Sequence, residues 1–143
     1  MKKILLILLC LLAFSAVTNA AAQSPEDERW PLVYKCDAFD VFLDNQSIVL
    51  FYMDGVPTVN CWVRYDGKKY ITFEHLIFKS SDFSYITKEL CMYKKNKKLD
   101  NKQDLTNEGW QVTTPGTNRE AIIQSIGKWV IDNNEKHPPR ILN

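Results

Sequence analysis

Apolar and polar residues alternate over much of the chain, and this alternation predicts strands. Val59, Cys61 and Val63 fall on one face of an extended segment, and the residues between them fall on the other face. Alternating or continuously apolar runs predict strands at residues 40–43, 47–53, 59–65, 70–78 and 83–93. Asp-Gly pairs at residues 54–55 and 66–67 predict hairpin turns between them. Consecutive hairpins make the expected sheet antiparallel.

A helical pattern follows the strands. Thr117 and Glu120 have the spacing of a capping box, in which the Thr117 hydroxyl accepts the Glu120 N–H and the Glu120 carboxylate accepts the Thr117 N–H. Behind this cap, apolar residues recur at helical spacing: Ile122, Ile126, Trp129 and Val130. Asn133-Asn134 is a predicted end of the helix.

These elements predict an α+β fold. The expected architecture is an antiparallel meander of about five strands, with one C-terminal amphipathic helix packed on a sheet face. Gly127 lies in the middle of the helix, where it costs about 1 kcal/mol relative to alanine. A close approach of the helix to the sheet would explain it.

The beginning of the chain predicts export. Lys2-Lys3 precedes an apolar run that is too short to span a membrane, and Ala20-Ala21-Ala22 fits a cleavage site. We therefore expect a signal peptide at 1–22, a mobile leader at 23–29, one domain at 30–134 and a polar, Pro-containing tail at 135–143. The processed protein is expected in the periplasm or at the cell surface, without a membrane span.

Charge content narrows the class of partner, and cysteine content limits the possible disulfides. Lys2 and Lys3 account for two of the 18 basic residues, so a processed chain carries 16 against 17 acidic ones. This balance argues against nucleic acid as the partner. Cys36, Cys61 and Cys91 remain after processing, and an odd number leaves one thiol over. Two interpretations stay open: one disulfide with one buried thiol left over, or three reduced thiols.

Three segments carry a resemblance to a known family. Residues 41–48 are similar to a recurring Y-[VI]-D-x-x-S-I element, residues 59–65 to V-x-V-W-V-x-Y, and residues 110–121 to W-x-x-x-x-P-G-[ST]-x-x-E-A. With the signal peptide, they resemble the surface-adhesin protein E family of small exported bacterial proteins. The resemblance covers residues 30–130 and implies an exported α+β domain more firmly than it implies adhesion. Family members often have a cysteine near the end of the last helix; this chain has none there.

Few residues suggest chemistry. His75 shares a predicted strand face with Phe73 and Ile77, which favours a half-buried, hydrogen-bonded histidine over a partner for a cysteine nucleophile. Turn caps and solvated residues explain Asp37, Asp40 and Asp44 better than a catalytic carboxylate pair does. We expect no catalytic residues, no metal site and no cofactor.

A lysine cluster is the candidate contact for a ligand. Lys94, Lys95, Lys97 and Lys98 form a predicted turn that could meet a polyanion, such as a sulfated glycan, a lipid head group or an acidic protein patch. The competing interpretation is a solvated turn that protects an edge strand from pairing. Strand aromatics could also form a binding ridge, or could simply pack: Trp62, Tyr65, Tyr70, Phe73, Phe78 and Tyr85.

The leading hypothesis is therefore a small exported binding module, adhesin-like and without catalysis, whose ligand is a protein, a glycan or another polyanion. An envelope-maintenance or structural protein of the periplasm, with a partner in the same cell, is the alternative. A thiol enzyme is the third hypothesis, and it requires a cysteine with a lowered pKa.

Overall fold

A computed structural model of the chain describes residues 28–142. The predicted signal peptide, and the predicted leader except Glu28 and Arg29, lie outside the described residues. One sheet carries eight strands: β1 (Leu32–Lys35), β2 (Phe39–Leu43), β3 (Val49–Met53), β4 (Val56–Gly67), β5 (Tyr70–Lys79), β6 (Tyr85–Lys94), β7 (Leu99–Asp104) and β8 (Arg140–Leu142). The helix α1 (Asn118–Asn133) lies between β7 and β8 in the chain.

The strands form a meander around the long strand β4. The order across the sheet is β1-β2-β4-β5-β6-β7, while β3 pairs with β4 beyond the end of β2, and β8 pairs with β3. All pairs are antiparallel except β3–β8. The predicted antiparallel sheet with a C-terminal helix is confirmed, but the predicted number of strands is wrong. Three strands were missed. All residues of β7 and β8 are exposed, so no pattern distinguishes an inner from an outer face, and β1 has only four residues.

One of the two predicted hairpin turns is confirmed. Asp54 and Gly55 join β3 to β4 with positive φ angles of 54° and 76°, as a two-residue hairpin turn requires. The second prediction is wrong, because β4 continues through Asp66 and Gly67, which pair with β2 and leave the turn to Lys68 and Lys69.

The hydrophobic core lies between α1 and one face of the sheet. Val41, Cys61, Val63 and Leu76 are fully buried on that face, where they meet Ile122, Ile123, Ile126 and Val130 of the helix. The predicted alternation of β4 is confirmed, since Asn60, Trp62 and Arg64 are only half-buried on the opposite face. We call that opposite surface the open face.

The start of α1 differs from the predicted capping box in one bond. Thr117 is the N-cap, and its hydroxyl accepts the Glu120 N–H at 3.4 Å. The Glu120 carboxylate accepts the Gly116 N–H at 2.8 Å instead of the Thr117 N–H, since the latter donates to the Thr114 carbonyl. The explanation offered for Gly127 is also wrong, because a Cβ atom there would meet no atom within 4 Å.

A side chain completes the hydrogen bonding of β4 where its partner strand changes. Between the ends of β2 and β3, the Trp62 carbonyl accepts the Asp44 N–H at 3.0 Å. The Trp62 N–H donates to the Ser47 hydroxyl at 2.8 Å, and that hydroxyl donates to the Asp44 carbonyl at 2.9 Å. Ser47 therefore replaces a missing strand partner in the middle of the sheet.

We expect Ser47→Ala to destabilise the fold by about 1–3 kcal/mol, because the Trp62 N–H would lose its acceptor. Urea unfolding at neutral pH measures this change. The matched control is Ser80→Ala, since the exposed Ser80 hydroxyl only donates to the Pro57 carbonyl; we expect it to stay within ~0.5 kcal/mol of wild type. Equal losses in the two variants would contradict the role given to Ser47.

Candidate functional site

The predicted lysine turn is formed and exposed. It joins β6 to β7, and it closes with two backbone bonds of 2.9 Å, from Lys97 N–H to the Lys94 carbonyl and from Lys94 N–H to the Lys98 carbonyl. Lys97 has a positive φ of 66°, and the Asn96 side chain accepts the Lys98 N–H. The turn backbone satisfies its own hydrogen bonds, and all four of its lysines are exposed.

A second lysine turn lies beside the first. Lys68 and Lys69 join β4 to β5, and both are exposed. The pairing of Tyr70 in β5 with Lys94 in β6 brings this turn next to the β6–β7 turn. We call the combined surface the lysine end: Lys68, Lys69, Lys94, Lys95, Lys97 and Lys98.

Most charges of the lysine end have no carboxylate partner. Lys94 Nζ lies 3.1 Å from Asp100, and the hydrogen bond to this carboxylate raises the pKa of Lys94. Within residues 28–142, the other five lysines of this surface form no ion pair. The adjacent β1–β2 turn contributes Asp37, and Lys35 there pairs with Asp40. The surface therefore keeps an excess of positive charge.

A groove on the open face reaches the lysine end. Its volume is about 500 Å³, and Tyr93 and Leu99, which flank the β6–β7 turn, line one part of it. Its other lining residues are Arg29, Trp30, Asp44, Trp62, Phe73, Glu89, Cys91 and Lys102. The charges in the groove pair with one another, Arg29 with Asp44 at 2.7 Å and Lys102 with Glu89 at 3.2 Å. The groove is thus mainly apolar, with its charges balanced.

The aromatic residues do not form one ridge. Trp62 and Phe73 lie on the open face, where Phe73 makes T-shaped contacts with Trp30 and with Tyr93. Tyr65, Phe78 and Tyr85 belong to the face that packs against the helix. Tyr70 lies on that same side by register, at the lysine end. Packing thus accounts for half of the proposed ridge, because adjacent strand positions point to opposite faces.

His75 has the environment expected of it. Its ring stacks on Trp62 with 4.9 Å between centroids, and its Nε2 lies 2.7 Å from the Asn60 side-chain oxygen. Burial lowers the pKa of His75. Cys61 pairs with Leu76 in β5, the residue after His75. Because successive strand residues point to opposite faces, Cys61 lies on the other side of the sheet from His75. The prediction of a half-buried, hydrogen-bonded histidine is confirmed.

All three cysteines in the described residues are free. Cys61 faces the helix and Cys91 faces the groove, so the sheet separates them. Cys36 hydrogen-bonds the Phe39 carbonyl through its sulfur at 3.5 Å. Burial raises the pKa of Cys61, and burial followed by the Glu89 carboxylate raises the pKa of Cys91.

The aspartates of the β2 region occupy separate environments. Asp40 pairs with Lys35, whereas Asp44 is buried and accepts two hydrogen bonds from Arg29, at 2.9 and 2.7 Å. Asp44 also accepts the Gln46 N–H at 3.1 Å. Asp40 and Asp44 therefore each form separate local contacts. Asp37 is exposed in the turn between β1 and β2.

A buried polar cluster joins α1 to the sheet, and sequence reasoning missed it. The fully buried Glu74 carboxylate accepts hydrogen bonds from the Tyr65 hydroxyl, from the Thr87 hydroxyl at 2.5 Å and from the Arg119 guanidinium at 2.8 Å. Burial, and then the charge of Glu74, raise the pKa of Tyr65. The sequence did contain a sign of this cluster: Glu74 falls on the same face of β5 as Thr72 and Leu76. A carboxylate buried on that face requires a buried partner.

Comparisons of the chain with protein-family models, with curated proteins and with solved structures produced no match. No helix among residues 28–142 is long and apolar enough to cross a membrane. Within the same residues, no three histidine, cysteine or acidic side chains lie together as metal ligands would.

Proposed function

We propose that this chain is a small exported, non-catalytic binding module that contacts a polyanion through the lysine end. The observation that carries the proposal is the Tyr70–Lys94 pairing, which places two lysine turns side by side. Five of the six lysines have no carboxylate partner within residues 28–142. The chain has 18 basic and 17 acidic residues, so its net charge is small. The positive charge is instead concentrated locally, at the lysine end.

Clustered, exposed lysines suit a ligand with repeated negative charges. Each ammonium group that meets an anionic group releases counterions, so binding weakens steeply as salt rises. Lysine is a flexible point charge rather than a planar fork, which fits spaced sulfate, carboxylate or phosphate groups without demanding one geometry. A sulfated glycan, or an acidic surface on another protein, has the required charge pattern.

The thiols and the histidine support a role without catalysis. A nucleophilic cysteine needs a lowered pKa, whereas burial raises the pKa of both Cys61 and Cys91. Burial also lowers the pKa of His75, whose ring is held between Trp62 and Asn60. Neither Cys61 nor Cys91 therefore has the lowered pKa that the thiol-enzyme hypothesis requires. Membership of the surface-adhesin protein E family, which the sequence resemblance suggests, is part of the same proposal.

Removing five lysines of the lysine end should weaken binding to a polyanion. The variant carries five Lys→Ser substitutions, at Lys68, Lys69, Lys95, Lys97 and Lys98, and keeps Lys94 because it holds Asp100. Dextran sulfate serves as the probe, and the dissociation constant is measured across a range of salt concentrations. We expect weaker binding and a slope of log Kd against log salt that falls by about three to five, since each lysine lost removes roughly one released counterion.

The matched control makes the same change of charge elsewhere on the surface. It replaces five other exposed or half-buried basic residues by serine: Lys79, Lys88, Lys128, Lys136 and Arg140. We expect a small, uniform loss of affinity in the control, because distant charges are screened in salt. If both variants lose binding equally, total charge and not the lysine end drives binding, and the proposed site is wrong.

Localisation separates the two leading hypotheses. Protease treatment of intact cells should degrade the mature protein if it acts at the cell surface on host or matrix ligands. Protection until the outer membrane is permeabilised would place it in the periplasm. The envelope-maintenance hypothesis would then replace the adhesin-like one, and the polyanion would be a component of the same cell.

A further inference from the structure

The edge strands of the sheet differ in chemistry: β7 lies at one side, and β1 and β8 lie at the other. The β7 edge has six exposed residues, with Asp100, Lys102 and Asp104 among them, and charges on an edge strand oppose pairing with another chain. The opposite edge ends in β8, where Ile141 is 67% exposed and Leu142 is 58% exposed. Tyr52 of the adjacent strand β3 is 71% exposed. Ile141 and Leu142 therefore carry no charge that would oppose pairing along this edge.

The backbone of β8 presents one donor and one acceptor outward. The Arg140 N–H donates to the Ile48 carbonyl at 3.1 Å, so Arg140 directs its backbone groups toward β3. Successive residues of a strand direct these groups to opposite sides. The N–H and C=O of Ile141 consequently point away from β3, and no strand among residues 28–142 lies on that side.

We infer that β8 pairs with β8 of a second copy of this chain, antiparallel, with a two-fold axis at Ile141. The Ile141 N–H donates to the carbonyl of the partner's Ile141, and the partner's N–H returns the same bond, which is the hydrogen-bonded pair of an antiparallel ladder. Arg140 then lies opposite the partner's Leu142, so the two arginines do not face each other. The two sheets continue across the contact.

A second copy fits this edge because the edge is self-complementary. It offers one donor, one acceptor and one apolar side chain at the same residue, and a two-fold contact satisfies all three at once. By register, Ile141 lies across from Leu50, on the sheet side that also carries Tyr52, so the two Ile141 side chains meet where Tyr52 is exposed. The contact is short, and we expect a weak, concentration-dependent dimer.

The test uses the variant Ile141→Pro. Proline removes the outward N–H and leaves the Arg140 and Leu142 bonds to β3, since proline is tolerated on an edge strand when its nitrogen faces solvent. Sedimentation across a wide range of concentrations measures the dimer. Losing two hydrogen bonds across the axis should raise the dissociation constant by about ten- to a hundred-fold. Amide exchange of Ile141 in the wild type should slow as concentration rises.

Two further variants distinguish loss of the β8–β8 contact from other effects of the substitution. Ile141→Lys places two like charges at the axis and should also leave a monomer, which covers the case in which proline displaces β8. Ile131→Lys is the matched control, because Ile131 is equally apolar and 73% exposed on α1; it should dimerise like the wild type. A wild type that stays monomeric, or a dimer that both Ile141 variants leave unchanged, would overturn the inference, which is independent of the lysine end.

Discussion

Arg119→Leu should destabilise the protein by about 3–5 kcal/mol, the loss typical of removing one partner from a buried ion pair. Glu74 has a side chain only 1% exposed, whereas Arg119 is 30% exposed. Removing the arginine therefore leaves a charged carboxylate that water cannot reach, with only the hydroxyls of Tyr65 and Thr87 to hold it. Urea unfolding at neutral pH, followed by circular dichroism, measures the loss.

The double variant Glu74→Gln, Arg119→Leu identifies the cause. The glutamine amide can still accept from both hydroxyls but carries no charge, so we expect the double variant to recover roughly half of the loss. Lys128→Leu is the control on the same helix, since it breaks an exposed pair with Asp132 four residues away and should cost at most ~0.5 kcal/mol. If the double variant is no more stable than Arg119→Leu, the buried charge is not the reason.

Ile126→Ala should cost about 2–5 kcal/mol, because it leaves a cavity under the centre of α1. Ile126 is fully buried, and it packs with Ile122, Ile123 and Val130 against the sheet. The spread in the expected value reflects how far the neighbouring side chains can close the space. Thermal and urea unfolding of the purified domain give the change directly.

Ile131→Ala removes the same atoms from the opposite face of the same helix. Ile131 is 73% exposed, so we expect a change within ~0.5 kcal/mol. The helix propensities of the two variants are matched, and only burial differs. Similar losses at both positions would mean that α1 does not pack on the sheet through the face described here.

Patterns of burial made most of the fold predictable. The alternation of Val59, Cys61 and Val63 and the helical spacing of Ile122 and Ile126 both report a single buried face, which is a strong signal. Strands β7 and β8 gave no such signal, because exposed edge strands have no buried face to mark, and the four-residue strand β1 is too short to show one. The second hairpin turn was misplaced by two residues because Asp66 and Gly67 found strand partners in β2.

The candidate site was predictable only in part. The turn at Lys94–Lys98 is a local sequence feature, and the sequence identified it. Its junction with Lys68 and Lys69 depends on the β5–β6 register, which no local pattern specifies. The Glu74–Arg119 pair spans 45 residues of sequence, so only the packing of α1 on β5 reveals it.

The position of β8 also orders the folding reaction. Strands β4 to β7 pair with neighbours in sequence, so their contacts close short loops and can form early. The β3–β8 pair joins Val49 to Arg140, which closes a much longer loop and should form late. Until then β3 has one bare edge, and any extended segment nearby can occupy it. The last strand of the sheet therefore decides how long the folding chain stays open to mispairing.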